Sequence, residues 1–121
     1  MNAADAQLNG VLGQAREIEV TVTGRKSGNQ STRPVWFTAE GETIYLLPEG
    51  GSGSNWYRNL ERTPRIRLAV GGAHIDTDAK PINDAAKVKH VVDTFRDKYG
   101  SEVTQYYAGQ DVAVQASLGS S

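Results

Sequence analysis

Residues 17–30 read EIEVTVTGRKSGNQ, an alternating apolar and polar segment that runs directly into a loop with two glycines. A period of two places Ile18, Val20 and Val22 on the same side of an extended chain. That side has to be covered by other parts of a hydrophobic core. The segment therefore predicts a half-buried β-strand, and we expect the rest of the chain to supply the elements that cover it.

The loop that follows this strand, residues 23–30, has the composition of an anion-binding loop. Its two glycines relax the backbone, so that N–H groups can converge on a ligand. Arg25 offers a planar fork of donors, Lys26 a point charge and Ser27 a hydroxyl group. The loop is not a Walker A motif, because Arg25 occupies the place of the glycine that should precede the lysine. Nucleotide hydrolysis is therefore disfavoured.

Length and composition predict one domain with one core. The chain has 121 residues, of which 38% are hydrophobic and 22% charged, and it contains no cysteine. The absence of cysteine excludes disulfides, thiolate metal sites and thiol catalysis. No signal-peptide segment and no run of about 18 apolar residues is visible. We therefore expect a cytoplasmic protein.

The formal net charge of −1 conceals two basic windows. Residues 20–39 contain Arg25, Lys26 and Arg33 without any acidic residue, and residues 50–72 contain four arginines against a single glutamate. A protein of balanced charge with two local basic patches suits a compact anionic ligand better than a nucleic-acid backbone. We expect no nucleic-acid partner.

The remaining patterns predict an α+β protein built around a small antiparallel barrel of about six strands, with one long helix and two or three short helices. The expected strands are 17–23, 32–39, 43–47, 65–70, 73–80 and 111–118. The expected helices are 55–62, capped by Ser54, and 84–99, capped by Asn83. Weaker helical segments are expected at 1–15 and 101–107. We expect residues 1–16 to form an arm or short helix, residues 17–118 to form the barrel domain, and residues 119–121 to be a disordered tail.

Catalytic motifs of the common hydrolases and metalloenzymes are missing from the sequence. His74 and His90 are the two histidines, and their separation does not indicate a metal-binding pair, so we expect no metal. No G-x-S-x-G motif is present. The lack of evident acid–base groups points to a protein whose reactivity comes from an organic cofactor.

Several motifs, taken together and in order, resemble the deazaflavin-dependent nitroreductase family, whose members are split β-barrel proteins that use coenzyme F420. These motifs are TGRKSG at 23–28, a Pro-x-aromatic strand, a glycine-rich loop, NWYRNL at 55–60 and TPRIRL at 63–68. The resemblance extends from about residue 18 to residue 118. It implies an oxidoreductase that transfers a hydride from the reduced deazaflavin to an electron-poor acceptor such as a quinone, a nitro compound or an enone.

The resemblance also implies which residues bind the cofactor. The glycine loop, with Ser31 or Arg33 nearby, would hold its phosphate and acidic tail, and the loop after the third strand would border its ring. The implied cofactor-binding residues are Arg25, Lys26, Ser27, Gly28, Ser31, Arg33, Trp36, Leu47, Pro48, Glu49, Gly50, Asn55, Trp56, Tyr57, Arg58 and Asn59.

Aromatic residues are the expected walls of the ring pocket. Trp36, Trp56 and Tyr106 could supply them, although core packing is an equal interpretation of Trp56 and a better one of Tyr57. Tyr106 is the closest match to a tyrosine that contacts the substrate in the family, and Tyr107 is the second.

Two alternatives stay open at this stage. A flavin mononucleotide (FMN) protein with the same barrel would also need a phosphate loop and aromatic walls. A non-enzymatic binding module for single-stranded nucleic acid or lipid is the more distant alternative, since the aromatics are not spread along one sheet face. Weak peripheral contact with the inner face of the membrane through residues 1–16 stays open as well, as does the choice between monomer and homodimer.

Overall fold

The structure is a computed structural model, and it describes residues 15–49, 51–70, 72–103 and 110–117. Its elements are β1 (Glu17–Thr23), β2 (Gln30–Glu40), β3 (Thr43–Leu46), a 3-10 turn (Gly51–Gly53), α1 (Asn55–Arg62), β4 (Arg65–Val70), β5 (Ala73–Ile82), α2 (Ala85–Tyr99) and β6 (Ala113–Ser117). The strands close an antiparallel barrel in the order β1-β2-β3-β6-β5-β4. The predicted α+β class and six-stranded antiparallel barrel are confirmed.

Two long strands change partners halfway along their length. β2 pairs with β1 over residues 30–36 and with β3 over residues 37–40. β5 pairs with β4 over residues 73–78 and with β6 over residues 79–82. Each of these strands belongs to two sheets, and these shared strands allow the six strands to close into a barrel.

The alternation in β1 fills the barrel interior as predicted. Ile18, Val20 and Val22 are no more than 1% exposed, and they pack in one cluster with Ile66 and Leu68 of β4. Full burial of such a side chain contributes about 1.5–3 kcal/mol relative to leaving it in water. These three residues therefore specify which face of β1 is turned inward.

A second hydrophobic cluster lies between α2 and the outer face of the barrel. Val88, Val91, Phe95 and Tyr99 are buried, as their helical spacing predicted. The barrel contributes buried residues to the same cluster, among them Leu47 from the end of β3. Because α2 covers this part of the barrel wall, the wall is apolar on both of its faces there.

Both predicted helix caps need correction. Ser54 occupies the N-cap position of α1, but its side chain makes no capping hydrogen bond. The long helix is capped by Asp84 and not by Asn83, since the Asp84 carboxylate accepts a hydrogen bond of 3.0 Å from the backbone N–H of Lys87. A carboxylate beside the positive end of a helix is also favoured by the helix dipole.

Several strand ends differ from the predicted ones. β2 begins at Gln30, two residues before the predicted start, because its first residues pair with the end of β1. β5 continues to Ile82, two residues beyond the predicted end, because its last residues pair with β6. β6 is shorter and begins at Ala113, since Asp111 is engaged by a loop. The predicted N-terminal helix lies outside the described residues, as do most of the turn at 101–107 and the tail at 119–121.

The end of α2 is fastened to β2 where that strand changes partners. The Tyr99 hydroxyl accepts a hydrogen bond of 3.0 Å from the Phe37 N–H, and it lies 2.8 Å from the carbonyl oxygens of both Phe37 and Arg16, which share its single proton. The Tyr99 ring stacks on Trp36 with centroids 4.2 Å apart. Burial raises the pKa of Tyr99 to about 12.

Lys98 reinforces this attachment. Its ammonium donates a hydrogen bond of 3.0 Å to the Phe37 carbonyl and lies 3.5 Å from the centroid of the Phe37 ring. Burial, together with the charge of Arg16, lowers the pKa of Lys98. Both polar groups of the Phe37 backbone are thus satisfied by side chains of α2.

We expect the substitution Tyr99→Phe to lower the free energy of unfolding by about 1–3 kcal/mol, because the buried Phe37 N–H would lose its acceptor. Urea unfolding followed by tryptophan fluorescence measures this loss. Tyr45→Phe is the matched control, since Tyr45 also faces α2 and its hydroxyl has no hydrogen bond to any described residue. The control should change stability by less than about 0.5 kcal/mol. Equal losses in the two variants would contradict the assignment.

The free energy of unfolding should also decrease as the pH rises above 10, and ionisation of Tyr99 should account for part of the decrease. The folded-state pKa of about 12 exceeds the ordinary value of 10.0, so the contribution of Tyr99 is complete below pH 10 and is lost as the pH rises through 12. At about 1.4 kcal/mol per pH unit, the loss amounts to roughly 2–3 kcal/mol. Unfolding measured from pH 9 to pH 12 should show this component in the wild type and not in the Tyr99→Phe variant.

Candidate functional site

The loop between β1 and β2 is a compact turn held by its own backbone. Gly24 N–H donates to the Asn29 carbonyl at 2.7 Å, Gly28 N–H donates to the Gly24 carbonyl at 3.0 Å, and Asn29 N–H donates to Ser27 Oγ at 3.1 Å. Gly28 has a φ of 75°, and a Cβ added at Gly24 would lie 2.9 Å from Ser27 Oγ. Both glycines are therefore required by the turn itself.

The loop docks on α1 through one asparagine. Asn59 Oδ1 accepts a hydrogen bond from the Arg25 backbone N–H at 3.2 Å and another from the Arg25 guanidinium at 2.7 Å. The guanidinium also lies 3.4 Å from the Asn55 carbonyl oxygen. The structure thus brings together two of the motifs that carried the family resemblance, TGRKSG at 23–28 and NWYRNL at 55–60. It also gives Asn59 a role beyond the predicted ligand contact, since its oxygen holds Arg25 in place.

An open groove of about 670 Å³ lies between this loop and α1. It is lined by Arg25, Arg58, Glu61, Arg62 and Thr63. The lining contains three arginines and one glutamate, and the adjacent Lys26 is exposed and makes no hydrogen bond or ion pair with a described residue. Guanidinium groups bind phosphates and carboxylates through paired hydrogen bonds. The donor set of this groove therefore fits a ligand that carries a phosphate and carboxylates, such as the tail of coenzyme F420.

The other two arginines of the second basic window are used elsewhere. Arg65 lies 3.5 Å from Asp78, and Arg67 lies 2.7 Å from Asp76, in ion pairs across β4 and β5. The hydrogen bond from Arg67 holds the pKa of Asp76 below its usual range. The sequence could not separate these arginines from those of α1, because their partners are on the following strand.

Two further predicted contacts, Ser31 and Arg33, lie on the exposed beginning of β2. In the register of the barrel they stand opposite Val22 and Val20 of β1. Neither residue lines the groove beside α1. Their assignment to the cofactor site stays a prediction.

The predicted aromatic walls fall into separate hydrophobic clusters. Trp36 packs against the α2 cluster, where it stacks on Tyr99 beneath the Arg16 guanidinium. Trp56 and Tyr57 of α1 are each 3% exposed and belong to the barrel core. The structure therefore places Trp36 and Trp56 on opposite sides of the barrel wall and supports core packing for Trp56. Tyr106, Tyr107 and Gly50 lie outside the described residues.

The loop after β3 is held by hydrogen bonds to a residue near β6. Leu47 and Pro48 are buried, Glu49 is exposed, and the 3-10 turn follows. The Asp111 carboxylate accepts hydrogen bonds from both the N–H and the hydroxyl of Ser52, at 3.0 Å and 2.6 Å. Sequence reasoning missed this contact, since Asp111 stands 59 positions away and belongs to no recognisable motif.

The described residues contain neither a cluster of metal ligands nor a membrane-spanning helix. No group of three or more histidine, cysteine, aspartate or glutamate side chains there could hold a metal ion. No helix in that part of the chain is long and apolar enough to span a membrane.

Solved structures share this fold at low sequence identity. An F420-H2 dependent reductase (FDR-A) is 19% identical with a TM-score of 0.65, and the match covers 84% of this chain and 93% of that one. HutZ, described as a heme storage protein from Vibrio cholerae, is 11% identical with a TM-score of 0.73. The match covers 96% of this chain and 90% of HutZ. A structure described as a domain-swapped dimer is 18% identical with a TM-score of 0.67. The match covers 92% of this chain and 94% of that one. At such identities the likeness shows the split-barrel fold.

The family itself is shown by a match along nearly the whole chain. A model of the family described as F420H(2)-dependent quinone reductase matches residues 2–118. This range includes the glycine loop, α1 and every described strand. The match agrees with the basic groove that the loop and α1 form together. The chain therefore belongs to the F420H(2)-dependent quinone reductase family, whose cofactor is coenzyme F420.

Proposed function

We propose that this protein transfers a hydride from reduced coenzyme F420 to an electron-poor acceptor, which is a quinone, a nitro compound or an enone. The observation that carries the proposal is the docking of Arg25 on Asn59, because it joins the two motifs into one basic groove. The three classes of acceptor share an electron-poor carbon or nitrogen centre. Membership of a quinone reductase family favours quinones among them.

The groove would bind the distant, anionic end of the cofactor. Arg25, Arg58 and Arg62 line it, and Lys26 lies beside it. Charge-assisted hydrogen bonds of this kind contribute about 1.5–3 kcal/mol each. Because the groove is open to solvent, screening by salt reduces the contribution of each residue. Affinity would then come from several such contacts acting together.

The ring end of the site would be formed by the loop after β3. The buried side chains of Leu47 and Pro48 fix the start of this loop in the core, and the turn at Gly51–Gly53 leads from it to α1. When bound, the reduced deazaflavin supplies the hydride. The chain's own task is to hold ring and acceptor in register and to exclude water. We infer that Tyr106, or Tyr107 as the second candidate, contacts the acceptor.

Location and assembly stay predictions from the sequence. A cytoplasmic protein, with or without peripheral contact at the inner face of the membrane through residues 1–16, would be distinguished by fractionation of cells. Light scattering of the purified protein would distinguish a monomer from a homodimer.

The first test is turnover. The wild-type protein with reduced F420 should reduce at least one of benzoquinone, nitrobenzene and cyclohexenone, and oxidation of the cofactor can be followed by its absorbance. In parallel titrations, quenching of tryptophan fluorescence should show tighter binding of F420 than of FMN. Binding of FMN alone, without turnover of reduced F420, would overturn the proposal.

The double substitution Arg25→Ala with Lys26→Ala should raise the dissociation constant of F420 at least tenfold, because it removes two cations from the groove. Lys89→Ala with Arg96→Ala is the matched control, since it also removes one lysine and one arginine, both of which contact Asp93 on the exposed side of α2. The control should bind F420 with unchanged affinity. An unchanged dissociation constant in the first variant would remove the loop from the site.

Asn59→Ala should weaken F420 binding about three- to tenfold, because Arg25 would lose its anchor on α1. Asn83→Ala is the matched control, as Asn83 is exposed and its side chain makes no hydrogen bond with a described residue. The effect of Asn59→Ala should vanish in an Arg25→Ala background if Asn59 acts through Arg25. Additive effects of the two substitutions would instead indicate that Asn59 contacts the ligand directly.

A further inference from the structure

Two neighbouring residues before β6 hold the loop that follows β3. The Asp111 carboxylate accepts both polar hydrogens of Ser52, the N–H on Oδ1 and the hydroxyl on Oδ2. The Gln110 side-chain amide donates to the Pro48 carbonyl at 2.9 Å and to the Val112 carbonyl at 2.8 Å. We call this set of contacts, made by Asp111 and Gln110 to residues 48–52, the loop clasp.

The backbone of the loop is shaped to receive the clasp. Gly51 has a φ of 64°, a region that favours glycine, and a Cβ added there would overlap Asp111 Oδ1. Gly51 N–H donates to the Pro48 carbonyl, and Ser54 N–H donates to the Gly51 carbonyl. The clasp therefore acts on a tight turn that continues directly into α1.

We propose that Asp111 is a positioning residue for hydride transfer, because the clasp sets the distance between the loop after β3 and the barrel segment that leads into β6. The inference rests on the proposed function, in which that loop borders the cofactor ring. The clasp would thus fix where that loop lies beside the ring.

The geometry explains why a small change at the clasp should matter. Hydride transfer needs reacting atoms about 3–3.5 Å apart, and a misplacement of about 1 Å can cost on the order of a hundredfold in rate. Asp111 contacts neither ring nor acceptor in this proposal. It acts through Ser52 and the turn, as Asn59 acts through Arg25 at the other end of the site.

The charge of Asp111 strengthens the clasp. The hydrogen bonds from the side chain and backbone of Ser52 hold the pKa of Asp111 below its usual range, so the carboxylate is ionised at neutral pH. Burial, and then the charges of Glu61 and Asp111, raise the pKa of Tyr57 on α1.

The test compares Asp111→Ala with Asp111→Asn, which keeps an acceptor for the Ser52 N–H. Asp111→Ala should lower kcat for benzoquinone at least tenfold while the dissociation constant of F420 changes less than threefold. Asp111→Asn should keep at least a third of the wild-type kcat. Asp97→Asn on the exposed side of α2 is the control for loss of a charge, and it should behave as the wild type.

Hydrogen exchange gives a readout that is independent of activity. In the protein without cofactor, the Ser52 amide should exchange at least tenfold faster in Asp111→Ala than in the wild type and less than threefold faster in Asp111→Asn. If Asp111→Ala does not fold, Ser52→Ala replaces it, with Ser101→Ala as control. Ser52→Ala should then lower kcat at least threefold at unchanged F420 affinity.

The outcomes separate this inference from the proposed function. A wild-type protein that reduces no acceptor with reduced F420 would contradict the proposed function and, with it, this inference. An active wild type together with unchanged kcat in Asp111→Ala would overturn the inference alone. An F420 dissociation constant that rises tenfold or more in Asp111→Ala, with kcat unchanged at saturation, would also overturn it.

Discussion

The structure depends on the hydrogen bonds that the backbone N–H and carbonyl of Phe37 in β2 make. At this residue the strand leaves β1 and begins to pair with β3, so its N–H and carbonyl cannot rely on one regular ladder. Tyr99 and Lys98 of α2 bind these groups instead. Without such partners, buried backbone groups would be left without hydrogen bonds at the point where β2 changes partner strands. Each unpaired group would cost free energy comparable to a lost hydrogen bond. The long helix therefore covers the barrel and also permits its closure.

Local patterns predicted the fold well, whereas contacts distant in sequence escaped prediction. β1, α1 and β4 begin and end where alternation, a proline and a helical period placed them. Asp84 caps α2 in place of the predicted Asn83, since both neighbouring residues are of types that cap helices and the sequence pattern does not distinguish them. The docking of Arg25 on Asn59 and the clasp at Asp111 depend on tertiary structure, which no pattern in one sequence encodes.

In the proposed function, α1 would serve both the binding end and the reacting end of the site. Arg58 and Arg62 of α1 line the basic groove, and its first residue, Asn55, comes shortly after the turn at Gly51–Gly53. Its inner face is held in the core by Trp56, Tyr57 and Leu60. A short helix anchored in this way can set the distance between a binding end and a reacting end.

The ion pairs across β4 and β5 have a further consequence for how a ligand arrives. Arg65 and Arg67 are offset by Asp78 and Asp76, so this outer face presents little net potential. Among the described residues, the cations beside α1 face a single carboxylate. A diffusing polyanion is attracted most strongly toward the least compensated positive charge, and this steering is fastest at low ionic strength. Because Arg65 and Arg67 are neutralised by their own partners, they compete little with the groove for an anionic ligand.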